Sequence, residues 1–257
     1  MGATIELRGV SKRYGDRLAV ENLTLTVAGG ELLVIVGESG CGKTTALKMI
    51  NRLVEPTAGA VLLDGQDVSL LAPHELRRRI GYVFQRVGLF PHMTVAENVG
   101  ITPSLLGWQP GRIRQRVDEL LSLVELDPDE VRERMPADLS GGQQQRVGVA
   151  RALAAGATIV LLDEPFGALD PLTRRRLHDA FDAVRRRLAV TSILVSHDMS
   201  EALLLADRIA VMRAGRLVQI GTPCELLRRP ADDYVRGLLE TPTHESRRIA
   251  EMIGAAT

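Results

Sequence analysis

Eight consecutive residues, Gly37-Glu38-Ser39-Gly40-Cys41-Gly42-Lys43-Thr44, hold the densest chemistry in the chain. They follow the apolar run Leu32–Val36 and precede a stretch with Leu47, Ile50 and Leu53 at helical spacing. In that setting G-x-x-x-x-G-K-[ST] makes a phosphate-binding loop. Gly40 and Gly42 permit left-handed backbone, so successive N–H groups point at phosphate oxygens with a helix N-terminus behind them. Lys43 is expected to neutralise the β- and γ-phosphates, a unit-charge contact worth at most ~4 kcal/mol at an effective dielectric of about 20. Thr44 is expected to offer its hydroxyl to Mg²⁺. Gly37, Ser39, Cys41 and Thr45 complete the set expected to surround a nucleoside triphosphate. Only three of the 32 basic residues are lysines, so a compact ammonium at position 43 is not a compositional accident. A second acidic element follows the run Thr158–Leu162: Asp163 suits a Mg²⁺ and Glu164 suits an attacking water. Taken alone, such a pair reads as a solvated strand end; beside a phosphate loop it reads as hydrolytic machinery.

The elements that must position these groups follow from pattern. Leu32–Val36, Ile159–Leu162 and Ile193–Val195 are short continuous apolar runs, as buried parallel strands are, with chemistry expected at their carboxyl ends. Thr4–Leu7 and Leu23–Val27 alternate apolar with polar, and Ala60–Leu63 runs into Asp64-Gly65, so an antiparallel flank is predicted. Between Val87 and Ala155 the pattern is helical; Ile113, Val117, Leu120, Leu121 and Val124 make one apolar stripe. Arg208–Met212 and Arg216–Ile220 flank Arg213-Ala214-Gly215 as a hairpin. The expected fold is α/β, with one domain over 1–240: a core at about 1–86 and 157–222, an inserted helical subdomain at about 87–156, and a polar tail at 241–257. Basic and acidic residues balance at 32 each in 257, which excludes a global field for nucleic acid or an acidic membrane. No run approaches ~18 apolar residues and Met1–Val10 lacks signal-peptide order, so a cytosolic protein is expected. Cys41 and Cys224 have no partners at metal-ligand spacing.

Leu139-Ser140-Gly141-Gly142-Gln143 goes beyond phosphate-loop logic: it resembles the signature of ABC ATPases. Physically, Ser140 and Gln143 form a capping-box pattern, and the helix start behind them is a second anion site. The resemblance, which runs from Ile5 to about Leu239, implies a P-loop NTPase (RecA-like) core. It also implies that Ser140, Gly142 and Gln143 close over the γ-phosphate of ATP held by an opposite subunit, in a head-to-tail dimer. It implies adenine stacking by Tyr14, contact of Gln85 with Mg²⁺ or the attacking water, and contact of His197 with the γ-phosphate. Ala168-Leu169-Asp170 resembles the loop that crosses the dimer interface. His74, His92, His178 and His244 match no such position.

Lys48–Thr57, Val87–Val95 and Gln143–Leu153 resemble the osmoprotectant importers, which take up glycine betaine, choline, carnitine or proline betaine. The resemblance implies transmembrane permease subunits as partners, a substrate-binding protein acting through them, and a location on the inner face of the cell membrane. Some relatives append regulatory modules after the ATPase, and little chain follows Leu239, so direct salt sensing by this subunit is not expected. An amino-acid importer ATPase is the first rival. A soluble ABC protein of translation or DNA repair is a weaker one, given a single ATPase unit, no sustained heptads and neutral charge. A regulator without turnover is disfavoured by Glu164.

Overall fold

A computed structural model describes residues 2–85, 88–167 and 169–240. The chain opens with a long hairpin, β1 (Ile5–Tyr14) and β2 (Arg17–Val27), and then enters the core through β3 (Leu32–Val36) and α1 (Lys43–Ile50). β4 (Ala58–Leu63) and β5 (Gln66–Asp67) complete an antiparallel sheet in the order β2-β1-β4-β5. α2 (Pro73–Arg79) leads to β6 (Ile80–Val83), after which the chain turns helical: α3 (Val95–Leu105), α4 (Pro110–Leu123), α5 (Pro128–Val131) and α6 (Gly141–Leu153). It returns through β7 (Ile159–Asp163), α7 (Pro171–Leu188), β8 (Thr191–Ser196) and α8 (Met199–Leu205). β9 (Arg208–Arg213), β10 (Arg216–Gly221) and α9 (Pro223–Arg228) follow, and 233–240 are helical. The second sheet runs β10-β9-β3-β8-β7-β6, parallel except for β9 with β10.

β3, β7 and β8 are buried at every position, which is why they read as unbroken apolar runs. Their side chains divide by the strand period. Leu32, Val34 and Val36 face one core with α6, α7 and the helical insertion, whereas Leu33 and Ile35 face the other with α1 and the antiparallel sheet. The fold expected from the sequence is the one observed, including the antiparallel flank. Asp64-Gly65 and Ala214-Gly215 make the hairpin turns with positive φ at both residues. Two local expectations are corrected. Leu53 lies beyond α1, because Arg52 takes a left-handed φ of 53° and ends the helix near Asn51, leaving Leu53 42% exposed. The apolar stripe from Ile113 to Val124 outruns its helix, which ends at Leu123, since Glu125 is left-handed (φ 57°). The tail 241–257, Val87 and Ala168 lie outside the described residues.

Among the described residues no helix is long and apolar enough to cross a membrane. Asn98 anchors the entry to the helical layer. It is fully buried in α3, accepts from Phe90 N at 2.8 Å, and donates to the carbonyls of Phe90 (3.1 Å) and Met93 (3.0 Å). A Thr94–Glu97 capping box starts the same helix. Replacing Asn98 with Ala leaves those backbone groups unpartnered, so Asn98→Ala is expected to lower unfolding free energy by about 2 kcal/mol. Urea unfolding checks this as a lower midpoint at unchanged slope.

A candidate nucleotide site at the carboxyl ends of β3 and β7

The loop from β3 to α1 curls in left-handed backbone at Gly40 (φ 78°) and Gly42 (φ 105°). A Cβ on Gly42 would stand 2.3 Å from the Ala19 carbonyl oxygen, so no larger residue fits without displacing β2. Gly42 is also the N-cap of α1, and it offers no side-chain cap. The other helices near the site are capped by their own chain: α6 by Ser140, α7 by Asp170 and α8 by Asp198. The first-turn amides of α1 are thus left for an anion.

A cavity of about 410 Å³ opens over this loop, within the range of small-molecule sites. Ser39, Gly40, Gly42, Lys43, Thr44 and Thr45 line it, with Tyr14, Gln85 and Glu164 at its other walls. Lys43 is 5% exposed, and its Nζ donates to the carbonyls of Gly37 (2.6 Å) and Glu38 (3.0 Å). It also faces Cys41 Sγ at 3.9 Å, and none of these partners is a carboxylate. Tyr14 sits at the tip of the β1–β2 hairpin, 47% exposed, with Lys12 Nζ 5.0 Å from its ring centroid. Gly37 and Cys41 do not line the cavity. Gly37 is pressed against Met212 of β9, and the Cys41 side chain is buried behind the loop, so only its backbone can face a ligand.

Thr44 and Asp163 meet across the strands, Oγ1 donating to Oδ1 at 2.8 Å. Burial pushes the Asp163 carboxyl above its usual range and the charge of Glu164 adds to this, while the Thr44 hydrogen bond and the ammonium groups of Lys48 and Lys43 oppose it. Two carboxylates side by side, with burial opposing ionisation of the first, make a place where a bound cation would favour the charged form. No cluster of three His, Cys, Asp or Glu that could hold a metal occurs among the described residues. One hydroxyl and one carboxylate fit Mg²⁺, which keeps most of its waters and takes phosphate oxygens as further ligands.

Glu164 adopts φ 46°, rare for a non-glycine residue, and its amide is tied to the Val195 carbonyl at 3.0 Å. Its Oε2 accepts from Gln85 Nε2 at 3.0 Å and lies 3.3 Å from His197 Nδ1. Three elements distant in sequence, the ends of β6, β7 and β8, thereby meet at one carboxylate oxygen. Behind it, Arg174 donates to the Leu169 carbonyl (3.2 Å) and pairs with Asp198 at 3.6 Å, joining the loop before α7 to the residue after His197.

Ser140, Gly142 and Gln143 are not brought to this cavity. Their capping box is formed, with Gln143 N donating to Ser140 Oγ (3.2 Å) and Ser140 N donating to Gln143 Oε1 (2.9 Å). Asp170 caps α7, accepting from Leu172 N and Thr173 N at 3.1 and 3.0 Å. Arg17 and Ala19 line the cavity although sequence reasoning passed over them. Arg17 pairs with Tyr14 across the two-residue turn Gly15-Asp16, and that hairpin spacing was the available signal.

Residues 20–167, more than half of the chain, match the family model described as ABC transporter. The chain is 52% identical over 232 residues to the choline transport ATP-binding protein OpuBA of Bacillus subtilis, a match covering 90% of this chain and 61% of that protein. It is 50% identical to the glycine betaine uptake system ATP-binding protein YehX of Escherichia coli, covering 90% of this chain and 75% of that one. The chain thus spans less than two thirds of the Bacillus relative's length. A solved dimeric, post-hydrolysis state of the ATP-binding cassette MJ0796 bound to ADP and Pi superposes with a TM-score of 0.79 at 33% identity, over 85% of this chain and 98% of that one. On the family match over residues 20–167 and the half-identical relatives, the chain belongs to the ABC transporter ATP-binding family.

Proposed function

We propose that this chain is the ATP-hydrolysing subunit of an importer that takes up osmoprotectants such as glycine betaine or choline. The observation that carries the hydrolytic part is the Glu164 carboxylate, held between Gln85 and His197 at the wall of the phosphate-loop cavity. The names of the relatives at about half identity support the cargo class.

In this reading Lys43 and the α1 amides hold the β- and γ-phosphates of ATP, and Tyr14 takes the adenine. Thr44 and Asp163 would hold Mg²⁺, which supplies neutralisation of charge on the phosphate oxygens. Glu164 orients a water and accepts its proton as the water oxygen bonds to the γ-phosphorus and the bond to the β-bridging oxygen breaks. ADP and inorganic phosphate are the products. Gln85 donates to Glu164 and fixes its rotamer, and His197, which stands at the same carboxylate oxygen, is proposed to contact the γ-phosphate.

The Ser140 helix start lies outside the cavity of its own chain, so a second copy is proposed to supply it, head to tail, as the dimeric state of the solved relative supports. Permease subunits are proposed to dock beside Gln85. Phe84, Phe90 and Leu105 are exposed around a groove of about 290 Å³ between β6 and the helical layer, and Arg151 ties its wall by donating to the Gly88 carbonyl at 2.8 Å. Cargo would be selected by the permease and a substrate-binding protein. The ATPase would sit on the cytoplasmic face of the membrane.

The deciding experiment is ATPase activity of the chain with its permease and binding protein in lipid, titrated with glycine betaine, choline, proline and histidine. Stimulation by the quaternary amines supports the proposal; stimulation by the amino acids alone moves the cargo to an amino-acid importer. Glu164→Gln is expected to keep ATP affinity and cut turnover by at least about 100-fold, with an ATP-dependent dimer in size-exclusion chromatography. Lys43→Ala is expected to lose ATP binding in equilibrium titration. Asp163 contributes a pH signature. Its raised folded-state pKa means that ionisation disfavours the fold, so its stabilising contribution is present at acid pH and is lost as pH rises through that value. Without nucleotide, Asp163→Asn should therefore melt with wild type at about pH 4 and above it at about pH 7.5, while losing Mg²⁺-dependent turnover.

A further inference from the structure

The phosphate loop is tied on the side facing away from its cavity as well. A Cβ on Gly37 would come 2.1 Å from the Met212 carbonyl oxygen, so the start of the loop rests on β9. The Cys41 carbonyl accepts from the Gly215 amide in the β9–β10 turn at 3.0 Å. Between these two points, Glu38 N donates to Tyr234 Oη at 3.2 Å, and the same hydroxyl faces the Met212 carbonyl at 3.5 Å. Tyr234 stands on the helical segment 233–240, which Val235 and Leu239 anchor in the main core. Arg213 lies 4.6 Å from its ring centroid. One phenol thus joins the phosphate loop, β9 and the last described helix. Burial keeps that phenol above its usual range, so the hydroxyl retains its proton at neutral pH.

We propose that Tyr234 is a positioning residue for the phosphate loop, and that through it nucleotide occupancy and the packing of helix 233–240 are coupled. The proposal rests on the nucleotide-site reading above. A loop with three glycines at positive φ, at 37, 40 and 42, has many alternative conformations, and binding must select one of them. A tie at Glu38 selects it beforehand, and the ligand then meets a competent loop at no extra entropic cost. The tied amide precedes Ser39, the first of the loop residues that line the cavity, so holding it does not compete with phosphate. Tyr234 makes no hydrogen bond to Gln85, Glu164 or His197 among the described residues, so it acts on binding and leaves the chemical step alone. Linkage requires the reverse effect of equal size: nucleotide must stabilise helix 233–240.

Tyr234→Phe in the full chain keeps the ring, its core neighbours and the Arg213 contact, and deletes only the hydroxyl. Binding of Mg·ATP, kcat, KM, melting temperature and amide hydrogen exchange are measured for wild type, Tyr234→Phe and Lys43→Ala. Loss of one neutral hydrogen bond should weaken ATP binding about three- to tenfold, raise KM by the same factor and leave kcat within about twofold. In wild type, ATP should slow exchange at 233–240; in Tyr234→Phe that protection should be lost and exchange at 37–41 should quicken. Tyr234→Leu, which removes the ring contacts too, should weaken ATP binding at least as much. If wild type binds ATP, Lys43→Ala does not, and Tyr234→Phe matches wild type in affinity and exchange, the coupling is wrong and the site stands. If melting temperature and kcat fall together at unchanged KM, Tyr234 is structural only and the coupling is again overturned. If wild type binds no ATP, the site reading and the coupling fall together.

Discussion

The phosphate loop touches the backbone of its neighbours at two glycines, and the rest of the site is built outward from those contacts. At Gly37 the neighbour is Met212 of β9, and at Gly42 it is Ala19 of β2, so the loop is clamped between the two sheets. Because carbonyl oxygens and not flexible side chains oppose those positions, an added methyl group has nowhere to move. The clamp sets the start of α1 and with it the place of Thr44. The 2.8 Å bond from Thr44 to Asp163 then fixes the loop relative to β7, 119 residues later. Glu164 follows directly, and its left-handed backbone projects from the strand end toward Gln85 and His197. A parallel sheet makes this possible, since the ends of β3, β6, β7 and β8 open on the same side.

The charges of the site are arranged around what is to come. Lys43 is held by carbonyls and makes no ion pair among the described residues, while Asp163 and Glu164 stand side by side with burial opposing ionisation of the first. Lys43 and Asp163 are buried and Glu164 is half-buried, and burial of such charges, of either sign, is costly without a ligand. A triphosphate with its cation would satisfy both at once, which accounts for why such an arrangement persists at a cavity wall and not in the core. Backbone geometry follows the same logic. Side-chain caps from the chain itself occupy the starts of α3, α6, α7 and α8, whereas α1 begins without one, as α2 and α4 do behind their prolines.

Much of this was legible in the residues alone. The phosphate loop, the two carboxylates, the buried strands and both hairpin turns are encoded locally, through glycine's conformational freedom, burial on both faces of a strand, and the tolerance of Asp64, Gly65 and Gly215 for left-handed backbone. The capping box at Ser140 and Gln143 is likewise a four-residue relation. Such features depend on φ, ψ and periodicity, which neighbouring residues determine among themselves. The strand β6 was harder, because Ile80–Val83 is short and contains Gly81. Its glycine is explained only by the Ala152 carbonyl, 2.2 Å from where a Cβ would be.

The tertiary structure decided the meetings between distant parts. Arg17 reaches the cavity because a hairpin folds back over the loop, Thr44 meets Asp163 across 119 residues, and Tyr234 holds the amide of Glu38 across 196 residues. No pattern within a window of sequence carries the last two, since they depend on which strands became neighbours in the order β10-β9-β3-β8-β7-β6. The sequence by itself determined the chemical groups and the local shapes that present them. Only the packed sheet, which brings separated strand ends together on one edge, determined which groups share an oxygen, which hide behind the loop, and which lie away from the cavity.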